Sequence, residues 1–551
     1  MARLYEYQSK KLIKEAGIRI PGGEVASTPE EALRIAREIG KPVVLKIQVW
    51  LTGRAGMGGI QFAETPEEAE RAARKMLGMK VKNFIVEKVL VEEKLSIKQE
   101  YFTGLVVDDA EKRPLLVFSS VGGSGVEEIV KEHPEKVART HIDVAAGLRE
   151  FEARNLLRKV NIKGKLLPQL ADVLTKLYAV SRRYDARSAE INPLVLTEDD
   201  LVYAADCHLV IDDYAVFRHP ELGIEVAREF DRPATELEKI AYKVEEKDYR
   251  GTFYFFQMVE EVPEGERYIG FHGAGGGGAM MSMDAVLNKG FKLANYCDTS
   301  GNPPASKVYR AAKIILSQPN ILGYFASGSG VASQEQFHSA RGMVKAFHEE
   351  RLEIPAVIRL GGNYEEKAIE ILQTYLKDIP ARVEGYGRDD SPEFCAQRLE
   401  ELIEESNFRL HSVRPIEDHP FSQSREGREG DSSPLSPRLK GAVPFAYSFM
   451  TMTGELFIRH TKCLKCRTRG CIETCAAKIL MLEEGRPVLL VPEEEAGKGK
   501  CTECLACEIF CTFHEQDAIY IHLPIPGLRE YREKIIKSEK NKEKKRRKET
   551  G

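Results

Sequence analysis

Eight of the eleven cysteines fall in one stretch, between Cys463 and Cys511. The other three, Cys207, Cys297 and Cys395, are scattered through the preceding sequence. Isolated thiols fit a reducing compartment, where a buried Cys behaves as a small hydrophobe. Eight thiols within about 50 residues are a local cage that fixes how its segment folds. The rest of the chain sets the frame around that cage. Its 551 residues suggest three or four domains at about 150 residues each. With 42% hydrophobic and 30% charged residues, it is neither wholly disordered nor a disulfide scaffold. A net charge of -4 argues against a nucleic-acid partner, because phosphate contacts need excess positive charge. No apolar run approaches the roughly 20 residues that span a bilayer, and MARLYEYQSKK has no signal-peptide core. The expectation is a cytoplasmic protein.

The cysteines form two sets, Cys463-x2-Cys466-x4-Cys471-x3-Cys475 and Cys501-x2-Cys504-x2-Cys507-x3-Cys511. A cubane cluster needs four thiolates converging on one small volume, three from a tight loop and the fourth from the other motif. Crossing predicts one cluster on Cys463, Cys466, Cys471 and Cys511, and another on Cys501, Cys504, Cys507 and Cys475. The alternative is a pair of structural zinc sites, but runs ending in x3-Cys suit cubanes better than a tetrahedral ion. The segment resembles a bacterial-type two-cluster ferredoxin, a small α+β fold. It departs from that pattern in the four-residue spacer before Cys471 and in Ala476 and Thr512, where the simplest form has Pro.

Elsewhere the pattern alternates strands and helices. Thr28-Pro-Glu-Glu31 and Thr65-Pro-Glu-Glu68 are capping boxes that open helices. PVVLKIQV reads as a strand entering the Gly-rich loop LTGRAGMGG; NFIVEKVLV and KQEYFTGLVVDD read as strands. SAEINPLVL and DLVYAADCHLVID read as a hairpin. From residue 267, strand, Gly-rich turn and helix repeat four times, the signature of an open parallel sheet with ligands at the carboxyl ends of its strands. The predicted domains are 1–218 for nucleotide binding and 251–405 for the parallel sheet, joined by a linker at 219–250. A polar linker, 406–445, leads to the cysteine module at 446–530, followed by a basic tail at 531–551.

Lys46 at a strand end and Arg54 in the Gly-rich loop suit a polyphosphate, and Gly53 and its neighbours let backbone N–H groups approach it. Glu-Ile-Asn-Pro (190–193) and Asp206 add hard oxygen ligands of the kind Mg²⁺ takes in small number, leaving the rest to phosphate and water; the alternative is a polar hairpin with Asn-Pro as its turn.

Residues 3 to 218 resemble the ATP-grasp domain of the succinate–CoA ligase β subunit. The matching stretches are LYEYQSKKLIKEAGI, VVLKIQVWLTGRAGMGGI, SAEINPLV and DCHLVIDDYAVFRHPEL. Residues 267 to 375 resemble the flavodoxin-like CoA-ligase domain of that subunit through HGAGGGGAMMSMD, KVYRAAKIILS and IPAVIRLGGN. The resemblance implies an acid–thiol ligase joining a carboxylic acid to CoA with ATP cleavage to ADP and phosphate, by way of an acyl phosphate and a phosphohistidine. It implies phosphate contacts from Lys46, Gly53 and Arg54, with Glu87 beside the adenine and Glu100 near the ribose. Mg²⁺ falls to Asn192 and Asp206, and support of the phosphohistidine to Glu190. Gly328-Ser329-Gly330 is expected to open a helix whose N-terminus receives that phosphoryl group. Pro21 stands where ATP-preferring members carry Pro.

In the family, the phosphorylated His and most of the CoA site lie on an α subunit, and no such half is recognisable here. His272 is read as a loop or core histidine, so a separate α-type partner is implied. Asp298-Thr299-Ser300-Gly301-Asn302-Pro303 replaces a triple-glycine loop, and Gly328-Ser329-Gly330-Val331-Ala332-Ser333 lacks the family's arginine. The small carboxylic acid is therefore expected not to be succinate. The cysteine module is expected to carry electrons to, or dock, a ferredoxin-linked oxidoreductase. The alternative is an electron-transfer subunit that uses the ligase body as scaffold.

Overall fold

The computed structural model describes residues 2–51, 53–123, 133–224, 232–246, 253–263, 265–328, 330, 332, 334–416 and 447–549. It divides into two compact units, Met1–Ala234 and Thr235–Gly551.

The first unit holds two larger antiparallel sheets and the two-stranded pair Lys80–Val81/Phe84–Ile85. The larger runs in the order Ala2–Arg3, His208–Ile211, Ala186–Thr197, Ile97–Asp108, Arg113–Ser119, Val137–His141, with Val202–Ala204 paired to the long Ala186–Thr197 strand. The smaller runs Gly23–Ala26, Val89–Glu93, Val43–Ile47, Ile60–Ala63. Helices Pro29–Ile39 and Pro66–Met76 start where the capping boxes require: the Thr28 and Thr65 hydroxyls each accept from the N–H three residues on, at 3.2 Å. NFIVEKVLV is two strands, Phe84–Ile85 and Val89–Glu93, broken by Val86–Lys88.

The second unit is built on a sheet ordered Tyr254–Gln257, Asn295–Asp298, Tyr268–Ala274, Tyr324–Gly328, Ala356–Arg359, Val383–Tyr386. Tyr254–Gln257 is antiparallel; the other five pair in parallel. Numbered along the chain, those five stand in the flavodoxin-like order 2-1-3-4-5, whose switch point lies between Tyr268–Ala274 and Tyr324–Gly328.

Three segments differ from expectation. Residues 236–245, expected within a linker, form the helix Glu236–Glu245, whose Leu237, Ile240 and Ala241 are buried. Its cap is reciprocal, with Thr235 and Glu238 bonding each other's backbone N–H. The basic tail is the helix Leu528–Glu549, anchored by buried Leu528, Tyr531 and Arg532. Arg532 sits there because Glu350 takes its Nη1 at 2.8 Å, while Ser317 and the Lys313 carbonyl each accept at 2.7 Å. Of the expected 406–445 linker, residues 406–416 pack on the parallel sheet, with buried His411 bonded to Ile321 and Leu316 backbone; 417–445 lie outside the described residues.

The cysteine module has a three-stranded antiparallel sheet, Tyr447–Met450, Glu455–Ile458, Ile519–His522, a hairpin Leu480–Glu483/Arg486–Leu489, and the helix Ala506–His514. Its apolar residues join those of the parallel sheet in one continuous core. Buried ion pairs cross the same contact, with Lys345 of helix Phe337–Glu350 reaching Glu508 of Ala506–His514. Among the described residues no helix is long and apolar enough to cross a membrane.

Candidate functional site

Lys46 projects from Val43–Ile47 and Arg54 from the short turn Arg54–Met57. The two converge in a buried charge network. Lys46 Nζ meets Glu6 at 2.9 Å and Glu92 at 3.0 Å. Arg54 Nη2 meets Glu6 at 2.8 Å and Asp206 at 2.7 Å. Lys10 closes the ring, 2.9 Å from Glu6 and 2.6 Å from Glu92. Three cations thus face the carboxylates Glu6, Glu92 and Asp206. Burial raises a carboxylate's pKa, but Lys10, Lys46 and Arg54 outweigh it at Glu6 and hold that acid well below its ordinary value. Burial would lower Lys46 and Arg54, yet Glu6 and Asp206, joined by Glu92 at Lys46, drive both above their usual values. Both cations therefore stay charged at any working pH, as a phosphate site requires.

Strand register assembles the hard-oxygen pair. Glu190 pairs with His208, and Leu194 with Ala204, so Asn192 stands opposite Asp206 between them. Ala205 N–H donates to Pro193 across that gap at 3.1 Å. Glu190 and Asn192 share a face, with buried Ile191 on the other. Asp206 Oδ2 serves Arg54, while its buried Oδ1 accepts no hydrogen bond and has His208 Nε2 3.5 Å away. An oxygen without a hydrogen bond beside the Asn192 amide is a hard donor set of the kind that suits Mg²⁺. Asn192 Oδ1 accepts from Gly123 N–H at 2.9 Å. A Cβ on Gly123, at φ +90°, would fall 2.4 Å from Glu100 Oε2, so Glu100, Gly123 and Asn192 form one cluster that excludes any side chain at 123. Gly53 is exposed at φ +69° with nothing near its missing Cβ. Glu87 is exposed in the break between Phe84–Ile85 and Val89–Glu93.

At the switch point of the second unit, Gly275 (φ +95°) leads directly into helix Gly276–Asn288. Asp298 Oδ1 accepts from Gly275 N–H at 2.9 Å and Ser300 N–H at 2.8 Å. The expectation that Gly328-Ser329-Gly330 opens a helix is corrected. Gly328 ends its strand, and the next helix starts at Phe337. Arg359 Nη1 donates to the Gly328 carbonyl at 2.8 Å, and Ala332 bridges Gly362 in parallel. Gln334 N–H donates to Asn302 at 3.0 Å, joining the two divergent loops. Ser329 lies outside the described residues. His272 is buried on the central strand, beside Tyr324 OH and 3.1 Å from Thr299 Oγ1. Burial pushes it down to about 3, so it is a neutral core histidine.

All eight clustered cysteines are free thiols. Two groups of these thiols influence one another. Burial first, then Cys511 and Cys466, push Cys463 up to about 11; burial with Cys511, Cys463 and Cys466 pushes Cys471 to about 12. Burial with Cys504 and Cys475 pushes Cys501 to about 12, and Cys507 responds to Cys504, Cys501 and Cys475. One cavity is lined by Cys475, Cys501, Cys504 and Cys507 with Leu456, Ile479 and Ile521. In the other set, Cys466 Sγ accepts from Arg469 N–H at 3.4 Å and Cys511 Sγ from Ala518 N–H at 3.1 Å. Among the described residues no group of three or more His, Cys, Asp or Glu is gathered as the shell of a metal ion.

The features that sequence reasoning missed are Glu6, Lys10 and Glu92. The Glu6–Lys10 spacing of i,i+4 on a helix was their only signal.

The ATP-grasp domain family matches residues 3–196. The GDP-forming succinate–CoA ligase β subunit of Thermus thermophilus is 40% identical over 370 residues, 67% of this chain and 93% of that protein. The ADP-forming β subunit of Pyrobaculum aerophilum is 36% identical over 374 residues, 67% of this chain and 94% of that one. Among solved structures, ATP citrate lyase from Methanothrix soehngenii, in complex with citrate and coenzyme A, superposes with a TM-score of 0.60 at 18% identity. It covers 73% of this chain and 99% of that chain, a likeness of fold. With its ATP-grasp match, its 2-1-3-4-5 sheet and two-thirds of its length aligned, this chain is a ligase and belongs to the succinate–CoA ligase β-subunit family.

Proposed function

We propose that the chain is the β-type subunit of an ADP-forming acyl-CoA ligase that carries two [4Fe–4S] clusters. The observation that carries the ligase reading is the meeting of Lys46, Arg54 and Asp206 opposite Asn192. Lys46 and Arg54 neutralise the phosphate chain, and Gly53 leaves room for close backbone approach. Asn192 and Asp206 hold Mg²⁺, which supplies further charge neutralisation to the transferring phosphoryl group. Glu100 and Glu87 orient the ribose and base, and Pro21 inclines the site to ATP. The phosphoryl group passes to a histidine of a separate α-type subunit, which also binds most of the CoA. Glu190 steadies that histidine, and the Gly328–Gly330 segment contributes backbone to the receiving site without a helix dipole.

Arg359 spends its guanidinium on the Gly328, Arg388 and Asp390 carbonyls. It therefore does not replace the arginine missing from this loop, which supports an acid other than succinate. The crossed thiol sets support the clusters, which supply one-electron transfer. The partner for those electrons is a ferredoxin-linked oxidoreductase. The test is ADP release by the anaerobic chain with its α-type partner, CoA and a panel of mono- and dicarboxylic acids. Acid-dependent turnover with at least one of them supports the ligase. No turnover together with no nucleotide binding leaves the scaffold reading.

A further inference from the structure

Of the three cations in the buried network, Lys46 and Arg54 have a role at the phosphate chain and Lys10 has none. Lys10 is 1% exposed, on helix Glu6–Glu15. An ammonium has three protons to donate. Those of Lys10 meet Glu92 Oε1 at 2.6 Å, Glu92 Oε2 at 2.7 Å and the Ala205 carbonyl at 2.7 Å, so protein acceptors take all three. A buried ion pair adds little stability over apolar side chains of the same size. Charge pairing alone therefore does not explain a lysine here, and the bond to Ala205 has a specific consequence.

Ala205 immediately precedes Asp206, in the bend between Val202–Ala204 and His208–Ile211. Its N–H donates to the carbonyl of Pro193, the residue after Asn192, at 3.1 Å. Its carbonyl accepts from Lys10 and, at 2.5 Å, from Lys46. The peptide that carries Asp206 is thus tied on one side to the strand of Asn192 and on the other to two ammonium groups. Glu92 belongs to the smaller sheet, where it pairs with Val44, two residues before Lys46. Lys10 therefore reaches from the smaller sheet to the Asp206 bend of the larger one. Lys46 makes the same reach, 3.0 Å from Glu92, but it also carries the phosphate contact. Lys10 is the residue at which metal placement and phosphate charge separate.

We propose that Lys10 is a positioning residue for the metal: it holds the Ala205 carbonyl, so that Asp206 stands opposite Asn192, and sets the affinity for Mg²⁺ rather than for the phosphate chain. This rests on the reading that Asn192 and Asp206 hold Mg²⁺. Groups that orient a metal's ligands change its affinity by about 10–100-fold when removed.

The test is calorimetric titration of the anaerobic full-length chain with ADP in excess Mg²⁺ and with ADP in EDTA, read as the ratio of the two affinities. Wild type binds ADP more tightly with Mg²⁺. In K10M that gain falls about tenfold or more, while affinity for ADP in EDTA stays within about threefold of wild type. K10M leaves the carboxylates one cation short, so K10M/E92Q, which removes one charge of each sign, is titrated beside it. Both are checked for the Trp50 fluorescence of the folded unit. A lost Mg²⁺ gain in every variant that folds supports the proposal. Equal weakening with and without Mg²⁺, as general loosening would give, overturns it, and so does an unchanged ratio. Loss of the folded signal in both variants also overturns it, because Lys10 is then needed for the fold and not for the metal. A wild-type chain whose ADP affinity ignores Mg²⁺ removes the reading of Asn192 and Asp206 instead, a different failure.

Discussion

At the scale of residues, the nucleotide site is a matter of matched charge. Lys46 and Arg54 were legible as cations near a Gly-rich loop, because residue type and position suffice to suggest phosphate. Their counter-charges were not. Glu6 and Lys10 read as ordinary helix-surface residues, and only tertiary packing buries them against Glu92. Glu6 touches all three cations, so E6Q leaves buried positive charge uncompensated at a cost of about 3–5 kcal/mol. Trp50, the single tryptophan, stacks 5.2 Å from Tyr5 and reports this unit's unfolding in urea. The pH dependence has a definite sign. Because Glu6 is depressed when folded, its contribution is complete above the ordinary carboxylate range and is lost as pH falls through its lowered value. Wild type therefore loses stability on acidification in that window, and E6Q, already weakened, shows a shallower loss there by the same fluorescence.

At the scale of elements, local signals succeeded where a side chain acts on its own backbone, as at Thr28 and Thr65. They failed where a distant partner decides. The segment after Gly328 has glycines and a following helix, yet Gly328, Gln334 and Ala332 are tied to Arg359, Asn302 and Gly362, and the helix starts only at Phe337. The Lys/Arg-rich C-terminus reads as a solvated run, yet Arg532 within it is buried against Glu350. R532A leaves Glu350 short of a partner and strips the anchor from Leu528–Glu549. The expected loss is about 3–5 kcal/mol in denaturant unfolding, with the terminal helix becoming sensitive to limited proteolysis. A second element-level test lies between helices Gly470–Glu473 and Ala506–His514. A Cβ at Gly470 would stand 2.2 Å from the Phe510 ring. G470A therefore pushes the two helices apart and lowers iron retention by the Cys463, Cys466, Cys471, Cys511 set, measured as iron and acid-labile sulfide, while the other set keeps its share.

At the scale of the whole molecule, the fold class was legible because periodicity and Gly-rich turns repeat, and the sheet has the 2-1-3-4-5 order such repeats build. The organisation around it was less so. A polar stretch before the cysteines suggests a tethered module, whereas the apolar residues of Phe449, Ile458 and Ile519 join the ligase core. Composition reads the solubility of a segment, not what lies on either side of it in space. The crossed ligation proposed for the two thiol sets would make them interdependent in sequence but separable in loss. C475S should abolish the cluster of the second motif and C511S that of the first, each leaving about half the iron with one EPR signal; the reverse pairing would mean uncrossed ligation.

The central claim is that Mg²⁺ and a nucleotide occupy the cleft around Lys46, Arg54, Asn192 and Asp206. Calorimetric titration of the intact chain with Mg·ADP tests it most directly, beside K46M whose Trp50 fluorescence matches wild type. The account predicts saturable heat at one site per chain and a loss of affinity of about a hundredfold or more in K46M, since a buried charged phosphate contact is removed. Absence of heat from wild type, or equal affinity in K46M, would contradict it.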